Sequence, residues 1–295
     1  MKAILRACAV LPAVVMLSAC EVTLDSQGHI VREEKRFTVT GTPDVRLTTF
    51  DGAIEIRSWD KPEVLVEIEK HGPTEETIAQ LQISSKQDGN RIEVEVKKPS
   101  SERVFFGFGT SPSAKFIVTM PQASNVVARS GDGSIRATRL RGRIELRTGD
   151  GAIRATDVSG EITLHTGDGS IALEGAEGQL DLETGDGGVD VAGKLGAVKL
   201  HTSDGSIVFR AEPGTVMTDD WSVTTGDGGV TMYLPSDLGA ELDAHTGDGT
   251  ISNELKLTTE GGGDADRHSI RGRIGAGGKL LRVRTGDGGI RLRSS

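Results

Sequence analysis

Ser130-Gly-Asp-Gly-Ser-Ile135, Thr148-Gly-Asp-Gly-Ala-Ile153, Thr166-Gly-Asp-Gly-Ser-Ile171, Thr184-Gly-Asp-Gly-Gly-Val189 and Thr202-Ser-Asp-Gly-Ser-Ile207 are five versions of one hexapeptide. Their aspartates, Asp132, Asp150, Asp168, Asp186 and Asp204, follow one another at 18-residue intervals. A fixed period of this length is the signature of stacked coils. Within the first unit Ile135, Ala137, Ile144 and Leu146 alternate with Arg136, Arg143, Glu145 and Arg147. Alternation of period two means strands with one face turned inward.

Two short strands and two turns fill each unit. The second turn carries Arg141-Gly142, Ser159-Gly160, Glu177-Gly178 and Leu195-Gly196, and glycine at both corners suggests backbone at positive φ. Each strand then pairs with its counterpart one unit away, roughly 4.8 Å distant, so the sheets are parallel without helices. The fold class expected is all-β: a parallel β-solenoid of about 18-residue coils with an N-terminal β-rich cap. The main alternative is an antiparallel sheet built from hairpins.

Beyond Asp204 the spacing loosens, with Asp227 after 23 residues, Asp248 after 21 and Asp287 after 39. Residues 211–221, with Pro213 and Asp219-Asp220, read as an excursion, and 258–269, with three consecutive glycines from Gly261, as a polar loop. Loops leaving a regular coil are where repeat proteins tend to place function. Upstream, residues 45–49, 54–58, 64–69, 92–97 and 115–120 alternate as strands, and Phe50-Asp51-Gly52-Ala53-Ile54 is a degenerate repeat turn. Residues 74–82 suit a short helix capped by Thr74. Residues 30–121 are expected to cap the open end of a solenoid spanning 122–295.

The N-terminus reads as an export signal. Lys2 and Arg6 precede an apolar stretch from Ala7 to Leu17, too short to span a bilayer, and Leu17-Ser18-Ala19-Cys20 resembles a lipobox. The expected division is a signal peptide over 1–19, lipidation at Cys20 and a tether over 20–29. Cys8 leaves with the signal, so the mature chain keeps one thiol and forms no internal disulfide. The lipid makes the membrane the first partner. Glu21 rather than aspartate after the cysteine leans towards an outer membrane if the cell is Gram-negative.

The chain carries 34 Lys+Arg against 43 Asp+Glu, a net charge of −9, and loss of Lys2 and Arg6 deepens the acidic balance. Such a chain lacks the basic footprint of a nucleic-acid binder. Forty glycines and only 3% aromatic residues are poor material for a globular core but suit a repeat protein that buries each unit on its neighbours. A monomer is expected.

Three stretches carry a family resemblance: Asp51-Gly-Ala-Ile-Glu-Ile-Arg-Ser-Trp-Asp60 with Pro62-Glu-Val after it, Phe116-Ile-Val-Thr-Met-Pro121, and Arg284-Thr-Gly-Asp-Gly-Gly-Ile290 closing the serial turns. Over residues 35–293 the chain resembles the DUF4097 β-strand-repeat family, whose members bear the name "putative adhesin". The resemblance implies a bacterial envelope protein and brings no catalytic residues.

The sharpest candidate site is the column Asp132, Asp150, Asp168, Asp186 and Asp204. Carboxylates stacked near 4.8 Å repel by roughly 1 kcal/mol per neighbour in water, and bridging calcium or hydrogen bonds from each aspartate's own turn would relieve this. The calcium β-roll repeat is different, with glycines placed otherwise about the aspartate, so the turn reading is preferred and no cofactor is expected. His165, His201 and His245 each precede a turn, but 165 and 201 stand two coils apart, too far to share one zinc. Gly188 to Leu195 nearly spells a P-loop but lacks its Ser/Thr. Arginines crowd the first coils (Arg129, Arg136, Arg139, Arg141, Arg143, Arg147, Arg154) and the last (Arg267 to Arg293), positions that suit an anionic envelope polymer. The favoured function is a non-catalytic envelope lipoprotein presenting a surface for binding or adhesion. The alternatives are a polysaccharide-acting β-helix enzyme, by fold analogy alone, and an envelope-stress accessory acting through a protein partner.

Overall fold

The computed structural model describes residues 21–25, 28–97, 112–258 and 267–295. The signal segment, Cys20 and the glycine run of the 258–269 loop lie outside the described residues. The protein is all-β, with one five-residue helix among the described residues, Glu75–Ala79. Thr74 caps that helix as the sequence suggests, exchanging hydrogen bonds with Thr77, and it ends three residues earlier than the composition allows.

The repeats fold into two ribbons of parallel strands that face each other across a common core. Strands that follow a Gly-Asp-Gly turn form the first ribbon. Ile135–Thr138 pairs in parallel with Ile153–Thr156, which pairs in turn with the start of Ile171–Thr184. Strands that precede a turn form the second ribbon, where Arg141–Thr148 lies against Ser159–Thr166 with Ile144 opposite Ile162 and Thr148 opposite Thr166. Residue i therefore meets residue i+18 on both ribbons. The pairing is parallel because equivalent strands of successive units run the same way. An antiparallel hairpin would bring together strands consecutive in the chain.

Inward residues of both ribbons are buried, and Ile153, Ala155, Ile162 and Leu164 are at most 1% exposed. Burying each larger aliphatic side chain contributes about 1.5–3 kcal/mol, and in-register stacking repeats that contribution at every rung. The excursion between Ala211 and Trp221 leaves the stack and returns at Trp221, which is buried edge-on against Phe209 at 5.3 Å. Its indole N–H donates to the Gly196 carbonyl at 3.0 Å.

The rungs do not stack in chain order at either end. Asp44–Thr48 and Ile54–Trp59, flanking the Asp51 turn, pair directly with Asn125–Arg129 and Ile135–Thr138, so the degenerate turn is a full rung of the stack. Two strands later in sequence, Arg91–Lys97 and Ser113–Pro121, lie on the outer side of that rung. At the other end, Trp221–Thr225 and Val230–Leu234 pair with Leu280–Thr285 and Ile290–Ser294. The strands of the Asp248 turn lie beyond those. In space the turns run Asp51, Asp132, Asp150, Asp168, Asp186, Asp204, Asp227, Asp287, Asp248. The loosened spacing after Asp227 thus records a skipped place that the last turn fills.

Antiparallel strands finish each end. Glu63–Gly72 lies against Ser113–Pro121 and Gly28–Thr38 against Glu63–Gly72, and Glu21–Asp25 pairs with Gly28–Thr38. Gln82–Asp88 lines Arg91–Lys97, and Ser269–Ile274 lines Ala240–Thr246.

Candidate functional site

The Gly-Asp-Gly turns form one edge of the molecule, and their chemistry is divided among three positions. The hydroxyl residue before each turn, Ser130 at the Asp132 turn and threonine at the others, is buried; Thr166 and Thr202 are 0% exposed. Its hydroxyl reaches back one rung: Thr166 Oγ1 donates towards the carbonyls of Gly149 at 3.1 Å and Gly151 at 2.9 Å. Thr148, Thr184, Thr202, Thr225, Thr246 and Thr285 repeat this contact. The first glycine extends the ladder, as the Gly167 N–H donates to the Gly149 carbonyl at 2.6 Å and the Gly185 N–H to that of Gly167 at 2.6 Å.

The second glycine is required by space. A Cβ on Gly169 would stand 2.1 Å from the Gly151 carbonyl oxygen, and one on Gly187 2.0 Å from that of Gly169. Positive φ, expected at both corners, occurs at the second one, where Gly160 and Gly178 have φ 118. Of the glycines in the Gly-Asp-Gly corners and the related Asp51-Gly turn, only Gly52 has it. At the first corner glycine is needed for close approach of neighbouring rungs instead.

The aspartates are left for solvent. Asp132, Asp150, Asp168, Asp186 and Asp204 are all exposed, in one column with Asp227, Asp287 and Asp248. None of the five carboxylates accepts a hydrogen bond from its own turn, so the buried threonine, not the aspartate, ties each turn down. Among the described residues no group of three or more His, Cys, Asp or Glu side chains stands close enough to hold a metal ion. At the N-terminal end of the column Asp51 is half-buried, and burial, together with the charge of Asp132, pushes its carboxyl above the ordinary range.

The histidines are in register but apart. His165, Glu183 and His201 occupy successive rungs, with His165 Nδ1 3.3 Å from Glu183. His245 lies further off, with Thr224 and Arg284 on the rungs between it and His201. The near P-loop residues Gly188 to Leu195 fall inside and beside the strand Val189–Thr202, not before a helix.

The outer face of the second ribbon is a ladder of opposite charges. Glu145 sits between Arg129 at 3.1 Å and Arg147 at 2.9 Å; burial works against its charge, but the two guanidinium groups hold its carboxyl below the ordinary range. Arg143 meets Glu161 at 3.0 Å, and Asp243 meets Arg284 at 2.6 Å and Arg271 at 3.2 Å. Towards the N-terminal end this face is concave. A depression of about 400 Å³ there is lined from five neighbouring strands, by Lys86, Glu93, Arg46, Val127, Arg129 and Glu145 among others. It shares Arg46, Val127 and Glu145 with a second hollow of about 590 Å³ that extends to Arg143 and Glu161. The arginine bias of the first coils therefore has a place in the structure. The strand Gln82–Asp88, which supplies Lys86, has too few apolar alternations to be legible in the sequence.

No curated protein matches the chain. Among solved structures it is similar to a "putative adhesin" from Bacteroides fragilis, at 14% identity and TM-score 0.47, over 88% of this chain and 96% of that one. A "putative adhesin" from Parabacteroides merdae gives 14% and 0.42 over 88% and 95%. A "putative lipid binding protein" from Parabacteroides distasonis gives 12% and 0.44 over 88% and 96%. The model of one family covers residues 35–293, including both ribbons and every aspartate turn, and by that match the chain belongs to the Toastrack DUF4097 family.

Proposed function

We propose that this protein is a non-catalytic cell-envelope lipoprotein, built on a parallel β-solenoid of 18-residue coils, whose outer ribbon faces bind an envelope or surface ligand. The observation that carries this reading is the concave, charge-lined surface on the second ribbon, where side chains from five strands converge on one hollow. A rigid sheet presents those groups at fixed spacing, so binding costs little ordering. Family membership supports the same reading, as does the lipobox-like Leu17-Ser18-Ala19-Cys20, which would hold the protein at a membrane, the outer one in a Gram-negative cell.

Two linked measurements test the proposal. Cells fed an alkyne fatty acid should label the full-length chain and not its Cys20→Ser variant, and only the labelled form should sediment with membranes. Binding of purified chain to envelope polymers should weaken when Arg129 and Arg143 are both replaced by Gln. Turnover of a uronate polymer that Asp168→Asn abolishes would overturn the non-catalytic reading. Label on the Cys20→Ser chain would overturn the anchoring.

A further inference from the structure

Charges on the ribbons are arranged so that neighbouring rungs attract. Besides the pairs of the second ribbon, the first ribbon sets Glu55 against Lys115 at 2.8 Å and Asp190 against Arg210 at 2.5 Å. Two places on the ribbons set like charges in register: Arg129 beside Arg147, which share Glu145, and a pair on the first ribbon that shares no acid. Ile135-Arg136-Ala137-Thr138 lies in parallel register on Ile153-Arg154-Ala155-Thr156, so Arg136 stands beside Arg154 and Thr138 beside Thr156. The isoleucines and alanines face the core, both arginines are exposed, and both threonines are half-buried on the same outer face.

Among the described residues neither guanidinium and neither hydroxyl has a hydrogen-bond or ion-pair partner. Glu55, in register with Arg136 on the far side, is engaged by Lys115. Ala172, in register with Arg154 on the near side, leaves that flank open. Like charges directly opposite one another weaken a sheet. Two donors of each kind thus form a two-by-two array that takes no partner from the carboxylates at its two edges, Glu55 beside Arg136 and Glu174 beside Thr156.

We propose that Arg136, Arg154, Thr138 and Thr156 form an oxyanion site, and that its ligand is the phosphate group of a phosphorylated glycan. The inference rests on the reading of the outer ribbon faces as binding surfaces, but it concerns the other ribbon. Rungs lie roughly 4.8 Å apart, so two guanidinium forks can close on one group from adjacent rungs. A carboxylate has two oxygens, which a single fork occupies; a phosphate has further oxygens for the second fork and a hydroxyl. A glycan is favoured over a bilayer because the array stands on strand residues with no exposed large apolar side chain beside it. Val216, the exposed large hydrophobic among the described residues, lies on the 211–221 excursion, rungs away.

The test titrates the purified full chain with a glucosamine disaccharide phosphate, with the same disaccharide lacking phosphate, and with a uronate disaccharide. The phosphorylated sugar should bind, the phosphate-free one should not, and the uronate should bind at least fivefold more weakly. Arg136→Gln/Arg154→Gln should weaken the phosphorylated sugar at least tenfold while the melting temperature holds or rises, since a repulsive pair is removed. Arg143→Gln, on the second ribbon, should leave this binding unchanged. Affinity within twofold of the parent for the double variant overturns the site, as does equal binding of the phosphate-free sugar. Loss on Arg143→Gln instead assigns the ligand to the concave face and also overturns it. Binding of phosphatidylglycerol vesicles that the double variant abolishes, with the disaccharide inert, overturns the glycan assignment.

Discussion

Replacing Gly169 by alanine should be among the most damaging single-methyl additions this chain can receive. The new Cβ would lie 2.1 Å from the Gly151 carbonyl oxygen and 2.5 Å from its carbon, both backbone atoms that no rotamer change can move. Restoring ordinary contact requires about 1 Å of separation between two rungs. That movement falls where Thr166 Oγ1 reaches the Gly149 and Gly151 carbonyls and where the Gly167 N–H donates to Gly149. Overpacking of this kind costs about 1–3 kcal/mol, and two weakened hydrogen bonds add about 1 kcal/mol each. The expected loss is about 3–5 kcal/mol, against a total that for domains of this kind is about 5–15 kcal/mol. Gly188 is the internal comparison: its nearest neighbour to an added Cβ is Ser206 O at 3.4 Å, and the equivalent place holds Ser170 in the preceding rung. Gly188→Ala should be neutral or gain up to about 1 kcal/mol by restricting the unfolded chain. Urea titration by far-ultraviolet circular dichroism reads both. A Gly169→Ala loss under 1 kcal/mol, or equal effects at the two positions, would refute the claim that this glycine is set by the approach of rungs.

Other consequences can be measured on the same preparation. Thr166→Val keeps shape but removes the donor to two carbonyls, and should cost about 1–3 kcal/mol in a denaturant melt, with Thr166→Ser recovering most of it. Asp51 and Asp243 should give opposite pH signatures. Burial and Asp132 raise the Asp51 carboxyl, so the folded state binds its proton more tightly and stability falls as pH rises from the ordinary carboxylate value through the folded one; Asp51→Asn should stabilise at neutral pH and not in acid. At Asp243 burial opposes the charge but Arg284 and Arg271 outweigh it, so its contribution is present above the ordinary carboxylate value and lost as pH falls through the lower folded one; Asp243→Asn should destabilise at neutral pH and flatten the acid limb of the melt profile. Ending the chain after Gly275 should remove an interior rung, and hydrogen exchange should then show lost protection across residues 221–258, whereas loss confined to the last few residues would mean that the rungs stack in chain order.

The ribbons were legible because their determinants are periodic. Alternation alone places Ile144 and Leu146 inward, and the 18-residue interval places Thr148 against Thr166, as the registers have them. The turn chemistry was legible only in part, because aspartate is the conspicuous residue and threonine the working one. A threonine ending a strand looks like any β-former until the carbonyls of the rung behind it are placed within reach of its hydroxyl. Register between distant segments was the other hidden quantity. Nothing local in Leu280–Thr285 says that it lies between Trp221–Thr225 and Ala240–Thr246, since all three carry the same inward pattern and fit either neighbour equally. The concave face depends on the strand Gln82–Asp88, whose side chains are mostly exposed and so leave no apolar alternation to read.

Out-of-order stacking also answers a problem that the repeat itself creates. A parallel stack of identical rungs ends in an unpaired strand edge that invites another chain to add to it, and a stack laid down in sequence order can unwind from its terminus. Here the strand Ile290–Ser294 lies between Val230–Leu234 and Ile251–Asn253, so a strand later in sequence sits inside the stack between two earlier ones. The N-terminal end uses the same device, with the Asp51 rung inserted between the Asp132 rung and the later strands Arg91–Lys97 and Ser113–Pro121. Fraying at either end then requires breaking pairs on two neighbouring rungs at once. Beyond each swap the strands turn antiparallel, at Ser269–Ile274 and at Glu63–Gly72, so the direction of an edge no longer matches the repeat that would extend it. A stack of like rungs must neither grow nor unravel, and in this chain the exchange of one rung at each end supplies both properties.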